Sequence, residues 1–330
     1  MKICFIDKTD FKYSFQDKHS PKLRGAETTL INLSYNLKLL GCKVYVFNNC
    51  SVEYRENNFY WLDINNIILK QTFFDIAISN GDINLLENVI SKKKYAISYS
   101  IQTLEKFIRK KQTFVFIKNK PKIIFIGKYH KSKRPLLTRI FGYKYLKLAV
   151  DDIFNNSSIN NNIDNHKAVF TSRPDRNLKM LLDIWKSKIY ARNIKNKLYV
   201  TPSNQISSFN SFNVYSRNML DQKKYLSDIK NSRLMLIPGH KAELFCLAAE
   251  EARELCIPIV TMGIGSLKER VEHNVTGLIA GNKNQFADYT IKLFENDELW
   301  NKIRTNLLKK RGSSNWKFSA EKFLKELKTE

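Results

Sequence analysis

The chain has 330 residues, enough for two domains of ordinary size, and its composition (43% hydrophobic, 12% aromatic, 26% charged) is that of a globular protein. No apolar run approaches a membrane span, and the first residues lack the shape of a signal peptide. A formal net charge of +25 points to an anionic partner: nucleic acid, an anionic membrane or a phosphorylated substrate.

In chain order, Lys2–Asp7 reads as a buried first strand and Ala26–Leu40 as an amphipathic helix, with Lys43–Asn48 the next strand. Short apolar strands are expected at Asp75–Ser79, Tyr95–Ser98 and Ile123–Gly127, with helical pieces between them. That alternation predicts a parallel sheet covered on both faces. The charge is concentrated here. From Lys92 to Lys147 there are 17 Lys or Arg against one acid, Glu105, so this window carries 17 − 1 = +16. Drift toward Lys across the whole chain is the plain alternative.

The Asn-rich stretch Asn155–Asn165 has little to bury and reads as an exposed loop, with the crossover between domains just before it, near Leu146–Asp151. The rhythm then restarts. Strands are expected at Lys167–Thr171, Lys197–Thr201, Leu234–Ile237 and Ile257–Met262, and helices at Leu178–Trp185 and Phe245–Leu255. The tail reads as helices over Asn284–Glu295, Asp297–Lys309 and Ser319–Leu327, with Trp300, Trp316 and Phe318 as core residues. The expected architecture is α/β: two Rossmann-like, doubly wound domains facing a cleft, with strand carboxyl ends turned toward the ligand. Residues 1–147 form the first domain and 148–330 the second, the C-terminal helices packing back across both. The five cysteines (Cys4, Cys42, Cys50, Cys246, Cys256) show no CxxC spacing and are expected as reduced core residues of a cytoplasmic protein, not as disulfides or a zinc site.

The most informative stretch is Glu243–Gly281. Glu243 precedes an expected helix whose free N–H groups and dipole favour an anion such as a diphosphate. Glu251 lies about two turns in, and were the span wholly helical the two carboxylates would sit roughly 12 Å apart along the axis. A strand follows, then Gly263-Ile264-Gly265, where glycine lets backbone approach a ligand closely. Ser266 and Glu269 look like a capping box. Thr276-Gly277-Leu278-Ile279 closes the pattern.

In this order the features resemble the nucleotide-sugar site of retaining glycosyltransferases of the GT-B fold, family four (glycosyl transferases group 1). The resemblance is specific over Glu243–Gly281, moderate over residues 171 to 186 and loose elsewhere. It implies that Glu243 contacts hydroxyls of the transferred sugar and Glu251 those of the ribose. Gly263, Gly265, Ser266, Leu247 and His240 complete the donor set. It also implies that Arg176, or Arg173 beside it, grips the diphosphate and offsets leaving-group charge. Asn177 stands where such enzymes usually have Gly, and it tolerates left-handed backbone. In the first domain, Leu23-Arg24-Gly25-Ala26-Glu27 resembles the family's Gly-Gly-Ala-Glu loop, placing Gly25 beside the donor.

Two departures matter. Many relatives carry a His after a middle strand of the first domain, whereas residues 96–102 contain none; Ser100 and Gln102 occupy that acceptor side. Residues 244–246, Leu-Phe-Cys, stand where Gly-Phe-Gly is usual. The chain has no Asp-x-Asp, so no metal and no cofactor is expected.

The implied reaction is metal-independent transfer of a sugar, with retention, from a nucleotide diphospho-sugar to a glycan or lipid-linked acceptor in surface polysaccharide or lipopolysaccharide assembly. The basic window then suits the inner face of the cytoplasmic membrane. The competing readings are a non-catalytic sugar-nucleotide binder, a sugar-nucleotide epimerase and a nucleic-acid-binding protein; no nucleic-acid module is recognisable, so no nucleic acid is expected as a partner.

Overall fold

The computed structural model describes residues 1–101, 103–217 and 221–329. The chain divides into two compact units: Met1–Ala149 together with Trp316–Glu330, and Val150–Asn315.

The first unit is built on eight strands: β1 (Lys2–Ile6), β2 (Lys43–Asn48), β3 (Tyr54–Glu56), β4 (Phe59–Asp63), β5 (Phe74–Asn80), β6 (Ser91–Ile97), β7 (Lys122–Phe125) and β8 (Tyr143–Tyr145). They lie in the order β3-β4-β2-β1-β5-β6-β7-β8. All neighbours are parallel except β3, which pairs antiparallel with β4. Central strands covered on both faces need continuous apolar runs, and β1 buries Ile3, Cys4, Phe5 and Ile6. Helices Leu104–Arg109 and Gln112–Asn119 add Phe107 and Phe116, packed edge to face with ring centres 5.3 Å apart.

The second unit has six parallel strands: β9 (Asp164–Phe170), β10 (Lys197–Val200), β11 (Val214–Ser216), β12 (Ser232–Gly239), β13 (Ile259–Ile264) and β14 (Gly277–Ile279). Their order, β11-β10-β9-β12-β13-β14, is the doubly wound one. The winding reverses between β9 and β12, and in the first unit between β1 and β5. At such a reversal the loops leaving adjacent strands diverge and open a crevice at the carboxyl ends.

The two-sheet α/β architecture is the expected one. Several details differ. The edge strands β3, β8, β11 and β14, and β4 next to the edge, went unread, being short or lacking alternation. Asn155–Asn165 is not all loop: the helix Asp152–Asn156 enters it and β9 starts inside it. Pro258 and left-handed Cys256 (φ 57°) delay the expected 257–262 strand, so β13 runs to Ile264. The five cysteines are buried and unpaired.

Residues 316–330 do not belong with the second domain. The helix Trp316–Lys328 buries Trp316, Ala320, Phe323 and Leu327 and packs against the helix Gly25–Leu39 of the first unit. Trp300 belongs to the core of the second unit. Phe318 is not core: it is 46% exposed, with the Lys322 ammonium 4.5 Å from its ring centre.

Candidate active site

The reversal point of the second unit lies beneath two loops. One leaves β9 as Thr171–Asn177; the other leaves β12 at Gly239. Asn177 takes φ 66°, ψ 31° and precedes the helix Leu178–Ile184. Its side-chain amide donates to the Gly239 carbonyl and ties the two loops together across the crevice. Asn reaches left-handed backbone more readily than other residues with a Cβ, and here its side chain also has a partner, so the geometry that usually asks for Gly is met.

On that tie sit two arginines and two acids. Arg176 places Nε 3.5 Å from Glu243 Oε2 and Nη1 2.8 Å from Asp175. Arg173, far more exposed, reaches Asp175 at 3.0 Å. Burial raises the Glu243 carboxyl above its ordinary range, and the charges of Arg176 and then Arg173 pull it back. The Glu243 amide bonds the His240 carbonyl at 2.9 Å, and His240 Nδ1 accepts the Ala242 amide at 3.1 Å. His240 thus braces the turn that presents Glu243. Glu243 is not on a helix: Cys246 turns left-handed at φ 65° and the helix runs Leu247–Glu254, with Leu247 partly exposed at its first position.

Gly263 and Gly265 have φ of 65° and 76°. A Cβ on Gly265 would press on the His240 carbonyl and come within 2.7 Å of the Glu243 carbonyl oxygen. The Ser266 amide donates to that same oxygen at 2.9 Å, and the Gly263 amide bonds the Thr261 hydroxyl at 3.1 Å. Close approach in this loop is therefore between backbones, with two amides already engaged. The expected capping box is absent: Ile264 precedes the short 3-10 turn Gly265–Glu269, and Ser266 lies inside it, its buried Oγ without a partner among the described residues.

Glu251 projects from the second turn of its helix, and its Oε2 accepts the Tyr225 hydroxyl at 2.8 Å. The Arg217 guanidinium covers the Tyr225 ring at 4.9 Å and bonds Asp228 at 2.6 Å. Burial raises the Glu251 carboxyl, while Tyr225 and Arg217 counter it. The neighbouring acids are structural: Glu250 is clamped by Arg253 and Arg270, and Glu254 accepts the Gly312 amide at 2.6 Å. Burial pushes the Cys246 thiol well up, and Glu243 and Glu251 both add to the shift, so the two carboxylates share one neighbourhood. Tyr225 and Arg217 carried no signal in the sequence, because neither the polar helix Gln222–Ile229 nor the residue after the short strand β11 matches a motif.

In the first unit Gly25 opens the helix Gly25–Leu39, whose start is fixed by the Arg24 amide bonding Glu27 at 3.0 Å. Ser100 follows β6, its carbonyl 3.4 Å from Ser98 Oγ, and Gln102 lies outside the described residues. The reversal point of this unit holds a network the sequence reading missed. Asp7 accepts from Tyr13 and, at 3.2 Å, from Asn80, which in turn accepts from Tyr99 at 2.8 Å. An acid directly after the first strand was the available cue. Beside β6, Arg134 donates to Ser98. His130 is fully buried, held by the Ile126 amide, and burial with the nearby Arg134 charge lowers it to about 3.

Residues 211–310 match the family model for glycosyl transferases group 1. The fold is shared along nearly the whole chain with solved glycosyltransferases. Sucrose-phosphate synthase from Thermosynechococcus elongatus superposes with a TM-score of 0.71 at 12% identity, over 98% of this chain and 98% of that one. HepE from Anabaena, solved with UDP and glucose, gives 0.71 at 13% over all of both chains. WaaG, a glycosyltransferase involved in lipopolysaccharide biosynthesis, gives 0.69 at 10% over 99% and 100%. No curated protein sequence matches the chain. Residues 211–310 thus match group 1 of the glycosyl transferases, and the chain along its length shares the GT-B fold of solved glycosyltransferases. No helix among the described residues is long and apolar enough to cross a membrane.

Proposed function

We propose that the second unit binds a nucleoside diphospho-sugar at the β9/β12 reversal point and that the protein transfers the sugar, with retention, to an acceptor hydroxyl held by the first unit. The observation that carries this is the Arg176–Glu243 pair, held over the crevice by the Asn177–Gly239 tie. Arg176 and Arg173 neutralise the departing diphosphate, Glu243 accepts from sugar hydroxyls, and Glu251, oriented by Tyr225, accepts from the ribose. HepE, of the same fold, was solved with UDP-glucose, which makes a uridine donor the first to try.

Acceptor attack comes from the face the diphosphate leaves, and the diphosphate oxygen takes the acceptor proton, so no side-chain base is required. With the arginines meeting the leaving-group charge, transfer proceeds without a divalent ion. Orientation and charge stabilisation supply the rate. The acceptor is a glycan or lipid-linked glycan of surface polysaccharide assembly, and the protein works at the inner face of the cytoplasmic membrane.

A thermal-shift panel of nucleoside diphosphates and their sugars, without metal, tests the donor site on wild type, Arg176→Ala and Glu251→Ala. A ligand at a hundred times its Kd adds roughly 2.7 kcal/mol, an easily visible shift. One base family should shift the wild type and neither variant. Equal shifts in all three proteins would place the nucleotide elsewhere.

A further inference from the structure

The Asn-rich stretch that stands out in the sequence has no part in the donor site. Its last residues lead into the amino end of β9, whereas the donor crevice lies at the carboxyl ends of β9 and β12. The strand between them is seven residues long, about 20 Å. A pocket of about 430 Å³ opens between this stretch and the helix Asp297–Lys310, a volume within the range that takes small ligands.

Asn161, Asn162, Asn301 and Thr305 line it, all exposed, and their side chains have no hydrogen-bond partner among the described residues. Ile163, Trp300 and Leu308 add apolar surface, Leu308 being 44% exposed. No carboxylate lines the pocket among the described residues, and Arg304 is the one lining cation there. Arg304 donates to the Asn160 carbonyl and lies 5.0 Å from the Trp300 ring centre. Its other N–H groups remain for incoming acceptors.

Both walls are built without a ligand. The Asn160 side chain accepts the Asn162 amide at 3.0 Å and turns the loop, and Asn165 accepts from the buried Arg233 at 3.0 Å. The Trp300 indole donates to the Arg233 carbonyl at 2.9 Å. A ligand therefore meets side chains on a fixed frame, which lowers the cost of ordering them. A side-chain amide donates and accepts at once, as a sugar hydroxyl does, and apolar surface beside such amides suits the C–H face of a sugar ring. A single arginine already committed to a carbonyl and an indole is a weaker basis for a phosphate site.

We propose that this pocket is a second glycan-binding site, taking a stretch of oligosaccharide remote from the reacting end. Holding a long chain there raises its effective concentration at the enzyme. The idea rests on the proposed glycan acceptor but not on the donor site, because it predicts binding and not turnover.

The test uses the labelled full chain on an array of neutral and acidic oligosaccharides, with the strongest binder carried into titration calorimetry. Wild type is compared with Asn161→Ala/Asn162→Ala/Asn301→Ala and with the donor-site variant Arg176→Ala. The triple variant should bind at least about tenfold more weakly, since each lost hydrogen bond is worth about two- to tenfold, and Arg176→Ala should bind as wild type does. No oligosaccharide retained by wild type, or equal binding by the triple variant, overturns the proposal. Binding lost in Arg176→Ala and kept in the triple variant also overturns it, placing the glycan at the donor site. Retention of acidic oligosaccharides alone, displaced by inorganic pyrophosphate, would make this an anion site and overturn it as well. A nucleoside diphosphate thermal shift on the triple variant reports the donor site and the fold separately.

Discussion

The carbonyl oxygen of Glu243 accepts the Ser266 amide at 2.9 Å, and Gly265, one residue before that amide, has no room for a Cβ because the same oxygen would lie 2.7 Å from it. The loop after β13 therefore sets the position of the loop that carries Glu243.

Gly265→Ala should consequently damage binding as well as stability. It forces a Cβ onto backbone and strains a left-handed residue, costing about 2–4 kcal/mol, and it displaces Glu243. Gly41→Ala is the matched control. Its φ of 83° carries the same backbone penalty, but nothing lies within 4 Å of the added carbon, so about 1 kcal/mol is expected. Thermal melts with and without nucleoside diphosphate check both, and equal losses would show that the Glu243 contact is unimportant.

Glu251→Gln should stabilise the protein and weaken nucleotide binding. Burial raises the folded carboxyl, so the folded state holds its proton more tightly than the unfolded chain. Stability contributed by this group is then lost as pH rises from the unfolded value through the folded one, and near neutrality the ionised carboxylate is a cost. Gln removes the charge and can still accept from Tyr225. A rise of roughly 2–4 °C at pH 7, what about 1 kcal/mol is worth at this size, should vanish near pH 4. A lower Tm at pH 7 would mean that the Tyr225 and Arg217 contacts outweigh burial.

Asp175→Asn should tighten diphosphate binding. Asp175 bonds both Arg173 and Arg176 and competes with phosphate for them. Asp175 itself and its partner Arg173 are exposed, though Arg176 is not, so the gain is modest, about two- to fivefold, and should fade at high salt. Titration calorimetry at two ionic strengths measures it; weaker binding would show that Asp175 positions the arginines rather than occupying them.

His130 should make the first unit acid-labile. Its folded value of about 3 lies far below that of the unfolded chain, so the unfolded state takes up a proton first as pH falls below about 6.5. Stability from this group is complete above that pH and declines by about 1.4 kcal/mol per unit below it. In urea unfolding across pH 7 to 4, His130→Gln should flatten that decline, and an unchanged slope would remove His130 as its source.

The central strands were legible because burial on both faces leaves runs such as Ile3–Ile6 and Leu234–Ile237. Edge strands such as Tyr54–Glu56 and Val214–Ser216 were not, since half-exposed residues carry no comparable run. At the site, the left-handed place of Asn177 could be read from its residue type. Its bond to Gly239, 62 positions away, could not. Tyr225 was hidden for the same reason: the hydrogen bond that orients Glu251 spans 26 residues and depends on tertiary packing. The helix after Glu243 was read two residues too early, because nothing in Leu-Phe-Cys announces that Cys246 turns left-handed.

The helix Trp316–Lys328 closes the first unit after the entire second unit has intervened. During synthesis the β1–β8 sheet therefore emerges first but waits for its final layer, leaving the apolar stripe of the helix Gly25–Leu39 uncovered while residues 150–315 are made. The second unit is contiguous and can complete its own core in that interval. A nascent chain stalled between residues 315 and 328 would carry a finished second unit and an unfinished first one, and recruitment of chaperones to such a chain should centre on the Gly25–Leu39 helix.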